Sequence, residues 1–155
     1  MTVSKADIDR FLSLPHIALI GVSRKEGQYS RTVFQELRKA VASLTPVNPS
    51  AREIDGFSCV ASVADVHPSP EGAILLIHAG AVLQTVRDCI RSGVRMIWLR
   101  QPESTSEAHR QAAMECRQAG VALIAGECPL MFLKGGHWIH RLHGGLRQLT
   151  GTYPA

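Results

Sequence analysis

The sequence predicts a three-layer α/β/α fold built on a mostly parallel sheet of about five strands. Two observations carry this. Short runs such as Ile17-Ala18-Leu19-Ile20 and Ala73-Ile74-Leu75-Leu76-Ile77 are apolar at every position, the pattern of strands covered on both faces. Between such runs lie stretches with apolar residues at helical spacing, so strands and helices alternate. Right-handed crossovers between successive strands then leave them parallel, with helices on both sides of the sheet.

The elements follow in order. Residues 4–13 predict a helix capped by Ser4, with Asp7 three residues on and Ile8, Phe11 and Leu12 on one face; Leu14-Pro15 ends it. Residues 17–20 form the first strand. Val33, Phe34, Leu37, Ala40 and Val41 make the stripe of a helix over 31–42, with Ser30 at its N-cap and Arg38 and Lys39 in its last turns. LTPVNP (44–49) is a second strand, placed at an edge or strand end because Pro46 has no N–H. Residues 50–72 read as irregular, with a small strand at 57–60. A third strand at 73–77 leads to a helix over 81–92, with Val82, Val86, Cys89 and Ile90 inward and Gly93 at its end. A strand at 94–99 precedes a helix opened by a Ser104–Glu107 capping box, carried by Ala108, Ala112, Cys116 and Ala119 and closed by Gly120. Residues 121–124 are the last strand.

Length and composition bound the function. The 155 residues fit one domain over 1–133, followed by a basic amphipathic tail over 134–155. No apolar run approaches the ~20 residues of a membrane span, and the N-terminus lacks the apolar core of a signal peptide. The expectation is a cytoplasmic protein with no membrane partner. Cys59, Cys89, Cys116 and Cys128 form no C-x-x-C pair and read as reduced thiols, mostly core filler. The net charge of +4 is mild and gathers in the tail at Lys134, Arg141 and Arg147. A subunit contact, with a homodimer as its simplest form, or a solvated face ranks ahead of nucleic acid as the reason for that charge.

In a parallel sheet of this kind, ligands sit outside the carboxyl ends of the strands. The candidate site is therefore Gly21–Ser30, Asn48-Pro49, His78-Ala79-Gly80, Arg100-Gln101-Pro102 and Gly126-Glu127-Cys128. The first loop reads G-x-S-x-x-x-G-x-x-S. Gly21 admits a ligand close to the backbone, Ser23 offers a hydroxyl and an N–H, and Arg24 suits bidentate phosphate contacts. Ser30 at a helix N-terminus favours an anion. These parts fit a pyrophosphate. The second strand exits through Val47-Asn48-Pro49-Ser50-Ala51-Arg52, without an acid before Glu53. An acid there takes the ribose 2′-OH of NAD, so its absence points to a ligand with an extra ribose phosphate, NADP or coenzyme A.

The set IGVSR (20–24), Tyr29-Ser30, PVNP (46–49), LLIHAG (75–80), IWLRQ (97–101) and ECP (127–129) resembles the small CoA-binding proteins. These are free-standing Rossmann-like domains similar to the CoA-binding domain of the succinyl-CoA synthetase alpha subunit. The resemblance runs over about residues 8–133. It implies a diphosphate on the Gly21–Ser30 loop and the adenine-ribose end near Val47-Asn48-Pro49. The pantetheine arm would run past Ile77-His78-Ala79 toward Trp98–Gln101. On that basis the ligand-binding candidates are Gly21, Val22, Ser23, Arg24, Ser30, Val47, Asn48, Pro49, Ile77 and His78. The chain departs from the family pattern where His78-Ala79-Gly80 replaces a Val-Pro-Pro, and where Pro102 replaces a glycine.

The resemblance implies a binder of CoA or acyl-CoA acting as a non-catalytic carrier, sensor or adaptor, with NADP as the second ligand. The alternative is an enzyme, NADP-linked or acyl-transferring, that uses His78 as general base or Cys128 as thiolate. No substrate domain for hydride transfer and no nucleophile–base pair are evident in the sequence. HWIHRLH (137–143) spreads its histidines too widely around a helix for one metal ion, so no metal is expected. Met131, Phe132, Trp138, Ile139, Leu142 and Leu146 instead predict a segment that packs on the core or on a second subunit.

Overall fold

The computed structural model describes residues 3–133. Helix α1 (Lys5–Leu12) opens with the expected capping box. The Ser4 side chain accepts the Asp7 backbone N–H, and the Asp7 carboxylate accepts the Ser4 N–H and hydroxyl. The main sheet is formed by β1 (Ile17–Ile20), β2 (Leu44–Val47), β5 (Gly72–Leu75), β6 (Met96–Leu99) and β7 (Ala122–Ala125), all parallel, in the order β2-β1-β5-β6-β7. Ile17 pairs with Leu44 on one side and Gly72 on the other. The chain therefore leaves β1 toward β2, then returns to β1's other edge, which puts the switch point between β1 and β5. Pro46 lies in β2, an edge strand, where a missing N–H costs no ladder bond toward solvent.

Alternation along each strand feeds two cores. Ile17, Leu19, Ile74, Met96 and Trp98 point to one face, where α1 and α2 (Tyr29–Leu37) bury Ile8, Phe11, Val33, Phe34 and Leu37. Ala18, Ile20, Ala73, Leu75, Ile97 and Leu99 point to the other, where α3 (Ala79–Arg91) and α4 (Glu107–Gln118) bring Val82, Val86, Cys89, Ala112 and Cys116. Both faces of the sheet are covered, so the strands are apolar throughout. Gly93 and Gly120 follow the C-caps of α3 and α4 at φ +81° and +69°, as their positions in sequence predict.

Several boundaries differ from expectation. Helix α2 begins at Tyr29 with Gln28 as N-cap, so Ser30 sits inside the first turn instead of capping it. Its hydroxyl is engaged by the loop, as described below. Helix α2 ends at Leu37, placing Arg38 at the C-cap and Lys39 beyond it. Helix α3 starts at Ala79, two residues early, with His78 as N-cap. Helix α4 is capped by Ser106, not Ser104: the Ser106 hydroxyl accepts the His109 N–H, and Glu107 is the first helical residue. Residues 50–72 are more ordered than predicted. β3 (Glu53–Ile54) and β4 (Phe57–Ser58) form an antiparallel hairpin around Asp55-Gly56, both at positive φ as a two-residue turn requires. Val60 adds an isolated bridge to Val47.

Cys59, Cys89 and Cys116 are buried and Cys128 is half-buried, all as free thiols. Burial pushes the Cys89 thiol up to about 12 and that of Cys116 up to about 11. In the native protein, DTNB is therefore expected to react at Cys128 first, with the other three thiols appearing only on unfolding. Rapid native reaction of Cys89 or Cys116, mapped by peptide mass, would contradict this packing.

Candidate functional site

The carboxyl ends of the strands bring the first loop, the exit of β2 and the exits of β5 and β6 together. Gly21 ends β1 at φ +95°, and its N–H donates to the Val47 oxygen at 3.0 Å. A Cβ on Gly21 would stand 2.4 Å from the Leu76 oxygen and 2.8 Å from Ile77 Cγ2. The residue is glycine because two strand exits close on it.

Beyond Gly21 the loop is held from within. Ser23 N–H donates to Ser30 Oγ at 2.9 Å, and Ser23 Oγ accepts the Lys25 N–H at 3.1 Å. Arg31, 7% exposed, donates Nη1 to the Ser23 and Arg24 oxygens at 3.3 and 3.1 Å, and its Nη2 pairs with Asp55 of the hairpin. Gln35 and Arg31 together hold the Asp55 carboxyl below its usual range. The buried guanidinium thus ties two loop carbonyls to the hairpin. Asn48 ties the loop from the other side: Nδ2 donates to the Val22 oxygen at 2.7 Å, and Oδ1 accepts the Ser50 N–H at 2.7 Å. Val22 and Val47 are core residues, while Pro49 is exposed.

Two features at this end suit an anion. No side chain caps the N-terminus of α2 or α3, and neither helix has an acid in its first turn; α1 and α4 have both. Arg24 and Arg52 are exposed, and neither guanidinium pairs with an acid among the described residues. Arg24 stands on the first loop and Arg52 just past the exit of β2.

A cleft of about 230 Å³ runs from the N-terminus of α2, at Gln28, Tyr29 and Ser30, across Leu75, Leu76 and Ile77 to Leu99, Arg100 and Gln101, and ends against Val82 and His109. Tyr29 forms its wall. Its hydroxyl stands 3.1 Å from Cys128 Sγ, and the Arg100 guanidinium lies 4.6 Å from its ring centre. Burial raises the Tyr29 hydroxyl's pKa, so it stays protonated. The Cys128 segment is fixed in turn by Trp98, whose Nε1–H donates to the Glu127 oxygen at 2.9 Å.

Of the ten predicted site residues, Ser30 and Ile77 line this cleft, and Gly21 closes against Ile77 beside it. Ser23 and Asn48 are engaged in shaping the loop, and His78 is exposed at the N-cap of α3. Sequence reasoning put Gln28, within the Gly21–Ser30 loop, and Arg100 and Gln101 among the strand exits but passed over Arg31 and His109. For His109 the available signal was the Ser106-x-x-His109 spacing, masked by the more familiar Ser104–Glu107 pattern. Among the described residues no group of three His, Cys, Asp or Glu side chains is placed to hold a metal, and no helix is long and apolar enough to cross a membrane. The HWIHRLH stretch and the rest of the tail lie outside the described residues.

The chain is also similar to known proteins. The chain is 36% identical over 78 residues to an ADP-forming acetate–CoA ligase of Archaeoglobus fulgidus, a stretch that covers 50% of this chain and 11% of the ligase. The chain thus spans a small part of the curated relatives it matches. Among solved structures, a hypothetical protein of Pyrococcus horikoshii OT3 superposes with a TM-score of 0.73 at 26% identity, covering 84% of this chain and 89% of that one. A conserved hypothetical protein of Pyrococcus furiosus superposes with a TM-score of 0.63 at 27% identity, over 73% of this chain and 94% of its own. The model of the CoA binding domain matches residues 15–134, and with that match over most of its length the chain belongs to the CoA-binding domain family.

Proposed function

We propose that the protein binds CoA or acyl-CoA across the carboxyl ends of its parallel strands and acts as a carrier, sensor or adaptor without catalysing a reaction itself. The observation that carries this reading is the uncapped N-terminus of α2 beside the Gly21 loop, where helix dipole and free N–H groups favour a diphosphate. Arg24 supplies a cation on that loop. Arg52, past the β2 exit, supplies another where the ribose 3′-phosphate of CoA would lie. The cleft leading from α2 to His109 has room for the pantetheine arm but not for the whole ligand, so the adenine end would rest outside it, near Asn48 and Pro49. The His78 ring makes no hydrogen bond to a described residue and Cys128 is engaged with Tyr29, which favours binding over the enzymatic alternative.

Calorimetric titration with CoA, dephospho-CoA, NADP and NAD tests this. CoA is expected to bind with Kd on the order of micromolar, the affinity of ordinary metabolite sites. Arg24→Ala should weaken both CoA and dephospho-CoA about tenfold, the worth of one charge-assisted contact. Arg52→Ala should weaken CoA alone. Preference for NADP, or an equal loss for CoA and dephospho-CoA in Arg52→Ala, would refute the placement of the ribose phosphate.

A further inference from the structure

The α3–α4 side of the cleft holds a polar group that phosphate binding does not explain. His109 is 1% exposed, lies in the first turn of α4, and lines the cleft at its inner end. Its ring is set by Ser106. The Ser106 oxygen accepts the His109 backbone N–H at 3.3 Å and stands 2.8 Å from Nδ1. The hydroxyl has one proton and a second lone pair, so it pairs with Nδ1 in either tautomer; in the one where it donates to Nδ1, the ring proton lies on Nε2. Nε2 has no partner among the described residues. It is also not sealed among protein atoms, as the unpartnered His16 Nδ1 and Arg31 Nε are. The ring itself lines the cleft. Desolvation lowers the pKa of His109, so the ring is neutral and offers one N–H. Leu75, Val82 and Leu99, all buried, make the wall around it apolar.

We propose that His109 Nε2–H donates to the thioester oxygen of an acyl-CoA, so that the cleft selects acyl-CoA over free CoA. This rests on the CoA reading above. Neighbouring strands lie about 4.8 Å apart. An arm that starts at the N-terminus of α2, above β1, and crosses β5 and β6 arrives at the start of α4. A free thiol at that point is a weak acceptor and would leave the buried donor unpaired. A thioester brings a carbonyl, and a short acyl group fits the apolar wall. A site built around a buried donor discriminates against the analogue that lacks the acceptor.

The test compares acetyl-CoA with S-ethyl-CoA, a thioether of nearly the same shape with a CH₂ in place of the carbonyl. Titrated calorimetrically into the full chain, acetyl-CoA is expected to bind about tenfold more tightly. His109→Leu, which keeps the volume and removes the donor, should level the two. Long-range ¹H–¹⁵N correlation of the wild-type ring should show the Nε2–H tautomer. Equal affinity of the two ligands for wild type, survival of the preference in His109→Leu, or an Nδ1–H tautomer would overturn the proposal. Should His109→Leu fail to fold, the wild-type affinity ratio and the tautomer still decide it. If no CoA species binds, the CoA reading fails and this one falls with it; CoA binding without thioester preference removes this one alone.

Discussion

Gly21→Ala is expected to destabilise the protein by about 3–4 kcal/mol and to abolish ligand binding, two effects with one origin. At φ +95° an L side chain is strained, at about 1–3 kcal/mol. The added Cβ also meets the Leu76 oxygen at 2.4 Å, backbone that cannot rotate away, at a further ~1–3 kcal/mol of overpacking. Relief requires parting the exits of β1 and β5, which are joined by the Leu76 N–H donating to the Ile20 oxygen at 2.8 Å. That junction is the switch point on which the cleft is built. Gly27→Ala separates the causes. Gly27 has φ +73° but nothing within 4 Å of its Cβ position, so it should lose only about 1 kcal/mol. Urea midpoints of the two variants provide the measurement. Equal midpoints would mean that the close approach at Gly21 contributes nothing.

The difference between these two glycines shows what a sequence carries and what it hides. Both look alike in the loop, and only the return of β5 beside β1 makes one indispensable. The strands were readable because burial on both faces leaves an unbroken apolar run, a signal local to four or five residues. Helix ends were less so. Gln28 and His78 are not common capping residues, and Ser30 was drawn inward by the Ser23 N–H instead of capping. Ser104 and Ser106 competed for one cap, and the spelling of a capping box favoured the wrong one. The hairpin at Asp55-Gly56 was legible as a turn dipeptide between short strand-like segments but was overlooked in an otherwise irregular stretch.

For the site, the rule that ligands gather at strand exits points to the end of the molecule where the cleft lies. It did not show which side chains meet there. Arg31 reaches an aspartate 24 residues away, and Tyr29 meets a cysteine 99 residues away. Such contacts depend on how helices and hairpins dock, which no local spacing records. The candidates divide accordingly. Gly21, Ser30 and Ile77 stand at the cleft itself. Asn48 and Ser23, read as ligand contacts, are seen shaping the loop, and the cleft's inner end falls to His109.

Trp98→Ala is the second large effect, at about 3–5 kcal/mol, the usual cost of emptying a buried aromatic site. Trp98 is wholly buried. It meets Phe11 of α1 edge-on at 5.3 Å between ring centres and packs against Phe132 at 6.0 Å. It therefore joins α1 to the segment that follows β7. Its indole N–H also holds the Glu127 carbonyl, and with it the Cys128 that touches Tyr29 on the cleft wall. Trp98→Phe isolates this second role, keeping most of the apolar volume while removing the donor from a buried carbonyl, at about 1–3 kcal/mol. If the bond positions the segment, Trp98→Phe should also speed DTNB reaction at Cys128, because the thiol would lose its fixed place against Tyr29. A large loss of stability in Trp98→Ala with no change in Cys128 reactivity in Trp98→Phe would leave Trp98 as packing alone. The cleft wall would then have to be held by Tyr29 and Arg100 from the other side.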